Sequence, residues 1–232
     1  MNRLAVVLLS GGLDSTTVAA MARAQGWRIL ALTIDYNQRH RIELEHAARV
    51  AEALGAERHI VLPLDLTGFG GSALTADIDV PKGGVEPGIP VTYVPARNTI
   101  LLAVALGYAE VLNASDIFIG VNAVDYSGYP DCRDDTMKAL QVTLNLGMDK
   151  RFVIDTPLMW LDKAATWQLA AETGGAELID LIIEDSHTCY TGDRSVRHAW
   201  GYGCGRCPAC VLRANGHEKY IEITRNIVGR RE

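Results

Sequence analysis

Residues 4–9, LAVVLL, form an unbroken apolar run that ends in a Ser-Gly-Gly triplet. Such a run predicts a strand buried on both faces. Residues 13–24 follow with helical spacing, Ala and Val on the inner face. A second strand is predicted over 28–36 (RILALTIDY), an amphipathic helix over 41–55 ending at Gly55, and a third strand over 59–64. Residues 68–95 are rich in Gly and Pro and lack periodicity; a loop of that length is a lid, a binding loop or disordered. Helices are then predicted over 97–114, 135–147 and 162–174, with strands over 116–121 and 151–158 between them. Strands alternating with helices of this length imply right-handed parallel crossovers. The chain therefore reads as one α/β domain with a parallel sheet, carrying a cysteine-bearing C-terminal module.

Composition narrows the setting. The 232 residues, 48% hydrophobic, suffice for one good core and a small appendage. A formal net charge of −6 disfavours nucleic acid as the main partner. The N-terminal apolar stretch is short and runs into the glycine motif rather than a cleavage site, and no run has the length of a bilayer span. A cytoplasmic enzyme without a membrane partner is expected. Four of the five cysteines crowd the last fifth of the chain, which argues against a disulfide framework.

The chemistry begins at Ser10–Ser15, SGGLDS, on the turn from the first strand into the first helix. Backbone N–H groups around Gly11 to Asp14 can form an anion nest at a helix N-terminus, and the hydroxyls of Ser10, Ser15 and Thr16 can add hydrogen bonds. Neither the P-loop nor the dinucleotide fingerprint occurs. The string resembles the pyrophosphate loop of the ATP-pyrophosphatase (PP-loop) superfamily of adenylating enzymes. That resemblance implies an adenine nucleotide alpha hydrolase-like domain in which the loop holds the β,γ-phosphates while a substrate oxygen attacks the α-phosphate.

Two further strings carry candidate chemistry. In GVNAVDYSGYPDCRDD, 120–135, Tyr126 and Tyr129 suit stacking on a flat heterocycle, Asp131 can accept from ring N–H groups and Arg133 can clamp a carboxylate. A solvated loop with two tyrosines is the plainer alternative. Cys204, Cys207 and Cys210 form C-x-x-C-x-x-C, and Cys189 supplies a fourth thiolate. Four thiolates suit a structural zinc site or a 4Fe–4S cluster; the lack of a redox partner motif favours zinc. Arg97 suits phosphate neutralisation or a helix start at the surface, and Lys163 has the same two readings. His40 and Glu43 stand one helical turn apart and share either the site or an exposed face. Cys132, with no adjacent His to activate it, reads as a small packed residue.

Together with DYNQRHRIELE (35–45) and YVPARN (93–98), these strings resemble the 7-cyano-7-deazaguanine synthases of the queuosine pathway along nearly the whole chain. The resemblance implies a ligase that turns 7-carboxy-7-deazaguanine and ammonia into the nitrile with ATP and Mg²⁺, through an adenylated carboxylate and an adenylated amide, as a homodimer. It implies Zn²⁺ on Cys189, Cys204, Cys207 and Cys210. It assigns ATP binding to Leu9, Ser10, Gly11, Gly12, Leu13, Asp14, Ser15, Thr16, Thr17, Val18 and Ala19. Catalysis falls to Asp14, Arg97 and Lys163, and substrate binding to Asp125, Tyr126, Asp131 and Arg133. It divides the chain into an ATP-binding domain, 1–185, and a zinc module, 186–232. The 190–203 excursion between the first two cysteines is longer than the family pattern leads one to expect, and no glutaminase module fits in the chain. The rival is a PP-loop tRNA-modifying adenylating enzyme, against which the acidic charge and missing basic stripe count. A nucleotide sensor without turnover and a zinc-ribbon interaction module on an inert scaffold rank below both.

Overall fold

The structure is a computed structural model and describes residues 3–83, 88–123 and 128–228. Five parallel strands, β1 (Leu4–Leu8), β2 (Arg28–Asp35), β3 (Arg58–Pro63), β4 (Asp116–Phe118) and β5 (Val153–Asp155), lie in the order β3-β2-β1-β4-β5. Strand order thus reverses between β1 and β4, and in an open parallel sheet the crevice at that reversal is where ligands bind. The helices are α1 (Leu13–Ala24), α2 (Ile42–Ala53), α3 (Arg97–Leu112), α4 (Asp134–Leu146), α5 (Lys163–Asp185) and α6 (Pro208–Val228). None is long and apolar enough to cross a membrane among the described residues.

The apolar runs of β1 and β2, the latter interrupted by the buried Thr33, serve both faces of the sheet. Val6 and Leu8, with Leu30, Leu32 and Ile34, meet Leu102, Ala105 and Leu106 of α3. Ala5, Val7 and Leu9, with Ile29 and Ala31, meet Val18, Ala19 and Ala22 of α1 and Ala47 and Val50 of α2. The period of two sends neighbouring residues to opposite layers, so no polar face remains on these strands. The second layer is rich in alanine, which lets α1 and α2 lie close to the sheet.

The structure departs from the pattern at three places. Helix α5 does not stop at Gly174. It breaks at Gly175 (φ 61°, ψ −152°) and resumes to Asp185. The C-terminal segment forms the long helix α6, which the apolar pattern does not announce. The excursion 190–203 carries a two-stranded antiparallel hairpin, β6 (Arg197–His198) and β7 (Gly201–Tyr202). A third apolar cluster joins these parts: Leu13 and Ala20 of α1, Trp167, Leu178 and Ile182 of α5, Trp200, and Cys189, Cys207 and Cys210. The Gly/Pro-rich loop is tied down where described, with Ala73 N–H donating to Val91 O (2.8 Å) and Gly83 N–H to Arg206 O (2.8 Å).

Candidate active site and four-cysteine centre

At the C-terminal end of β1 the chain turns sharply into α1. Gly11 adopts φ +82°, and a Cβ there would lie 2.6 Å from the Ala47 nitrogen and 2.8 Å from the Glu43 carbonyl. Only glycine fits, because α2 presses its backbone against the turn. Gly12 is the N-cap of α1 and offers no side-chain cap. The first-turn N–H groups of Leu13, Asp14 and Ser15 therefore have no intrahelical acceptor and face the end of the sheet. Gly120, just past β4, is constrained less severely: a Cβ would come within 3.1 Å of the Asp14 carbonyl carbon and the Ser15 nitrogen.

The hydroxyls divide sharply. Ser15 Oγ accepts from Ser10 N–H (3.2 Å) and donates to Gly12 O (3.2 Å), stiffening the loop from within. Thr16 Oγ1 donates to Gly12 O (2.8 Å) and Thr17 Oγ1 to Leu13 O (2.9 Å), both fully buried. Thr16 thus does not add a donor for an anion, contrary to the expectation from sequence; its β-carbon sits on the core side of α1. Thr17, Val18 and Ala19 are buried as well, because α1 is enclosed around most of its circumference. Of the hydroxyls in this stretch, Ser10 stands exposed at the mouth.

Lys163, the first residue of α5, reaches back over the loop and donates to both carboxylate oxygens of Asp14 (2.9 Å each). The pair brings a cation to the anion nest from an element 149 residues away in sequence. Both residues line a cavity of about 290 Å³ that runs from the glycine loop into a recess walled by aromatic side chains.

Arg97 commands that recess. Ala96, the N-cap of α3, takes a left-handed conformation (φ 54°) and its N–H donates to Tyr93 OH (2.9 Å), which aims Arg97 inward. The guanidinium lies over the rings of Tyr36 (5.5 Å) and Tyr129 (5.9 Å) and donates to Tyr36 OH (3.4 Å). Among the described residues no carboxylate stands at ion-pair distance from it. Burial pushes the Tyr36 phenol up to about 12, with Arg97 opposing, so it stays a neutral donor. Glu43 lines the same cavity; burial lifts its carboxyl to about 7, again against Arg97. That carboxyl exchanges its proton near neutral pH. His40 is not its companion. It precedes α2 and packs beside Gly192 of the excursion instead, so the assumed helical turn linking the two does not exist.

The residues drawn from 120–135 separate. Asp125 and Tyr126 lie outside the described residues. Asp131 is buried away from the cavity and accepts from Asn98 N–H (2.7 Å) and Asn98 Nδ2 (3.3 Å), holding the first turn of α3 and with it Arg97. Its carboxylate is spent on that helix start, where free N–H groups and positive potential gather. Arg133 is exposed, caps α4 through its backbone and is not among the side chains lining the cavity. Cys132 lines the recess with Asn98 Nδ2 at 3.1 Å from its sulfur.

The four cysteine sulfurs Cys189, Cys204, Cys207 and Cys210 lie within 4.8 Å of one another, Cys204 and Cys210 at 3.9 Å. A tetrahedron of thiolates about 2.3 Å from a central ion has edges near 3.8 Å. The cluster therefore fits one metal ion. Cys189 is driven toward the thiolate by donation from Cys207 and Cys210, whose thiols are pushed up in turn.

A glycine nest with a lysine over it, an arginine-and-tyrosine recess in the same cavity and four thiols in one cluster narrow the chemistry. The family profile described as Queuosine biosynthesis protein QueC matches residues 4–221. The chain belongs to the QueC family. A 7-cyano-7-deazaguanine synthase of Alkalilimnicola ehrlichii is 51% identical over 232 residues, covering 94% of this chain and 95% of the relative. One of Rhizorhabdus wittichii is 53% identical over 220 residues, covering 93% and 91%. Among solved structures, a predicted subunit of tRNA methyltransferase from Methanocaldococcus jannaschii superposes with a TM-score of 0.49 at 20% identity over 74% of this chain and 75% of that one.

For this QueC member the architecture read from the sequence stands: a parallel α/β domain with a four-cysteine cluster near the C-terminus. Sequence reasoning missed cavity residues that the tertiary structure supplies. Tyr36, Asn98 and Tyr190 line it, as do Thr188 and Arg213. Tyr36 ends the second predicted strand, where parallel sheets present ligand contacts, and that position could have flagged it. Tyr190 and Thr188 carried no signal beyond their nearness to Cys189.

Proposed function

We propose that the chain makes 7-cyano-7-deazaguanine from 7-carboxy-7-deazaguanine and ammonia at the expense of ATP, as an ATP-dependent ligase, in queuosine biosynthesis. The observation that carries this reading is the joining of a phosphate nest and an arginine–tyrosine recess in one cavity of about 290 Å³ in a QueC chain. The amides of Leu13, Asp14 and Ser15 and the N-terminal end of α1 receive the β,γ-phosphates, whose charge the helix dipole and Lys163 offset. Asp14 holds Lys163 in place until the phosphates arrive; Mg²⁺ bound with ATP would supply further neutralisation of the phosphate charge. Arg97 binds the substrate carboxylate and keeps one oxygen in line with the α-phosphate. Tyr36 and Tyr129 flank the deazaguanine, with Asp125 and Tyr126 keeping the substrate role the sequence assigns them.

In the first half-reaction the carboxylate oxygen bonds to the α-phosphorus and pyrophosphate leaves. Ammonia adds to the acyl carbon, AMP leaves with that oxygen, and loss of a proton yields the amide. In the second, the amide oxygen bonds to the α-phosphorus of another ATP and its pyrophosphate leaves. Loss of AMP and the two nitrogen-bound protons then forms the nitrile. The tyrosine-lined, half-closed recess favours both steps by keeping water from the adenylates.

Zinc is the ion we assign to Cys189, Cys204, Cys207 and Cys210, since four closed thiolates leave no open position for chemistry. Its role is to hold residues 186–232 as a module against the ATP-binding domain, 1–185. The test incubates the purified protein with Mg-ATP, an ammonium salt and 7-carboxy-7-deazaguanine and reads the small molecules by mass spectrometry. Nitrile and AMP should form only with all three present. Unchanged carboxylate with ATP still bound would sink the substrate assignment, and bulk tRNA would then be tried as acceptor.

A further inference from the structure

One wall of the cavity has no part in the scheme above. Thr188, just before the first cysteine, lines the cavity half-buried, its Oγ1 3.6 Å from where a Cβ on Gly12 would stand. It therefore adjoins the N-cap of α1 and the free amides that follow. Behind it lies Arg213 of α6, only 1% exposed. Its Nε donates to Trp200 O (2.9 Å), Nη2 to Ile182 O (2.8 Å) and Nη1 to Thr188 Oγ1 (2.8 Å). All three acceptors are neutral, and among the described residues no carboxylate reaches ion-pair distance. A guanidinium so placed is costly unless an anion answers its charge. Consistent with that cost, burial lowers Arg213 to about 10, with the negative charge of Asp14 opposing.

The hydrogen-bond inventory gives the direction. A threonine hydroxyl has one proton and two lone pairs, and a guanidinium cannot accept. With one lone pair taken by Arg213, the Thr188 proton must point elsewhere, and the loop side is where the cavity opens. We propose that Thr188 donates a hydrogen bond to the polyphosphate of ATP seated on residues 10–15, and that Arg213 is the positioning residue that turns the hydroxyl and adds positive potential behind it. This rests on the reading of that loop as a phosphate site. It gives the cysteine module a share in nucleotide binding: Cys189 follows Thr188 directly, Cys210 stands one turn before Arg213, and the hairpin carries Trp200.

Thr188→Val keeps the shape and removes the hydroxyl; Thr188→Ser restores it. Pyrophosphate and adenosine are titrated calorimetrically into each variant, and KM for ATP is measured beside kcat. Loss of a hydrogen bond to a charged acceptor should weaken pyrophosphate and raise KM for ATP roughly tenfold to hundredfold in Thr188→Val. Adenosine affinity should hold, and Thr188→Ser should recover the wild-type values. Arg213→Lys, which keeps charge but loses the fork, should weaken pyrophosphate in the same direction without changing adenosine. Equal pyrophosphate affinity in wild type and Thr188→Val overturns the inference, as does a parallel loss of adenosine binding, which marks a structural effect only. A wild-type chain that binds neither ATP nor pyrophosphate fails at the loop itself and overturns the adenylating reading first.

Discussion

Gly11 shows how much one residue can carry. Its positive φ and the 2.6 Å from its missing Cβ to the Ala47 nitrogen leave room for nothing larger. Gly11→Ala should cost about 2 kcal/mol or more, from left-handed strain plus the displacement of α2. Urea unfolding would read the loss, and ATP titration should show binding abolished in the fraction still folded. Lys163 makes the opposite demand, charge rather than space. Lys163→Ala should leave the fold intact and lower kcat/KM for ATP by roughly 10²-fold, as expected where one preorganised charge at the reacting phosphates is lost; AMP release measures it. Asp155 tests electrostatics away from the site. Burial and then Asp116 raise its carboxyl to about 6, from 3.8, with Arg3 opposing. One of its oxygens is buried without a hydrogen-bond partner. The protonated form is the one the fold prefers, so the native state is unpenalised below about pH 4 and loses stability as pH rises through 6. Asp155→Asn should gain about 1–2 kcal/mol at pH 8 and little at pH 4, read as the difference between thermal melts at the two values.

At the scale of elements, the break in α5 is what brings the C-terminal segment of the molecule to the glycine loop. The residues before Gly175 carry Lys163 and Trp167 against α1, and those after it carry Ile182, whose carbonyl receives Arg213. The turn uses a backbone conformation open only to glycine, so Gly175→Ala should cost about 1–3 kcal/mol. A chemical denaturation midpoint shift with an unchanged m-value would confirm it; a neutral result would mean the break can be ironed out. Sequence alone suggested that the helix ended here, since paired glycines are a common stop. The helix resumes because Leu178 and Ile182 have an apolar cluster to enter, and that cluster is made by residues from three distant segments. The same reasoning explains α6: its exposed face is polar, and its buried face answers to Trp167 and the cysteines rather than to the sheet.

Across the whole molecule, the four-cysteine centre and the cavity are adjacent: Thr188, Ala209 and Arg213, neighbours of the cysteines in sequence, line the cavity. The cysteines share an apolar cluster with Leu13 and Ala20 of α1, and the hairpin closes on them with the Trp200 ring stacked on His198 at 4.5 Å. Metal binding to thiolates stabilises a fold in proportion to how little of the site survives without it. Removing the metal by chelation, or Cys207→Ser, should lower Tm by several degrees, shift Trp fluorescence to the red and weaken pyrophosphate binding together. Metal analysis of the purified protein should find about one zinc per chain. Loss of metal with unchanged pyrophosphate affinity would uncouple the two.

The strands and helices as far as Gly174, the glycine loop and the cysteine spacing were legible along the chain, because each depends on residues close in sequence: alternation for strands, a three-to-four spacing for helices, a turn for the nest, a loop for the metal. What could not be read was which charges meet. Asp131 and Arg133 stand two apart in one string, yet one is bound to Asn98 and the other faces solvent. Arg97 meets Tyr36, 61 residues earlier, and Arg213 meets Thr188, 25 residues earlier. Such partners are chosen by the crossing of helices over a reversed strand order, a long-range packing outcome that no local spacing encodes. The sequence by itself determined the kind of protein this is and the loop where phosphate chemistry can occur. Tertiary structure alone decided which side chains surround that loop, since burial sets both their neighbours and their protons.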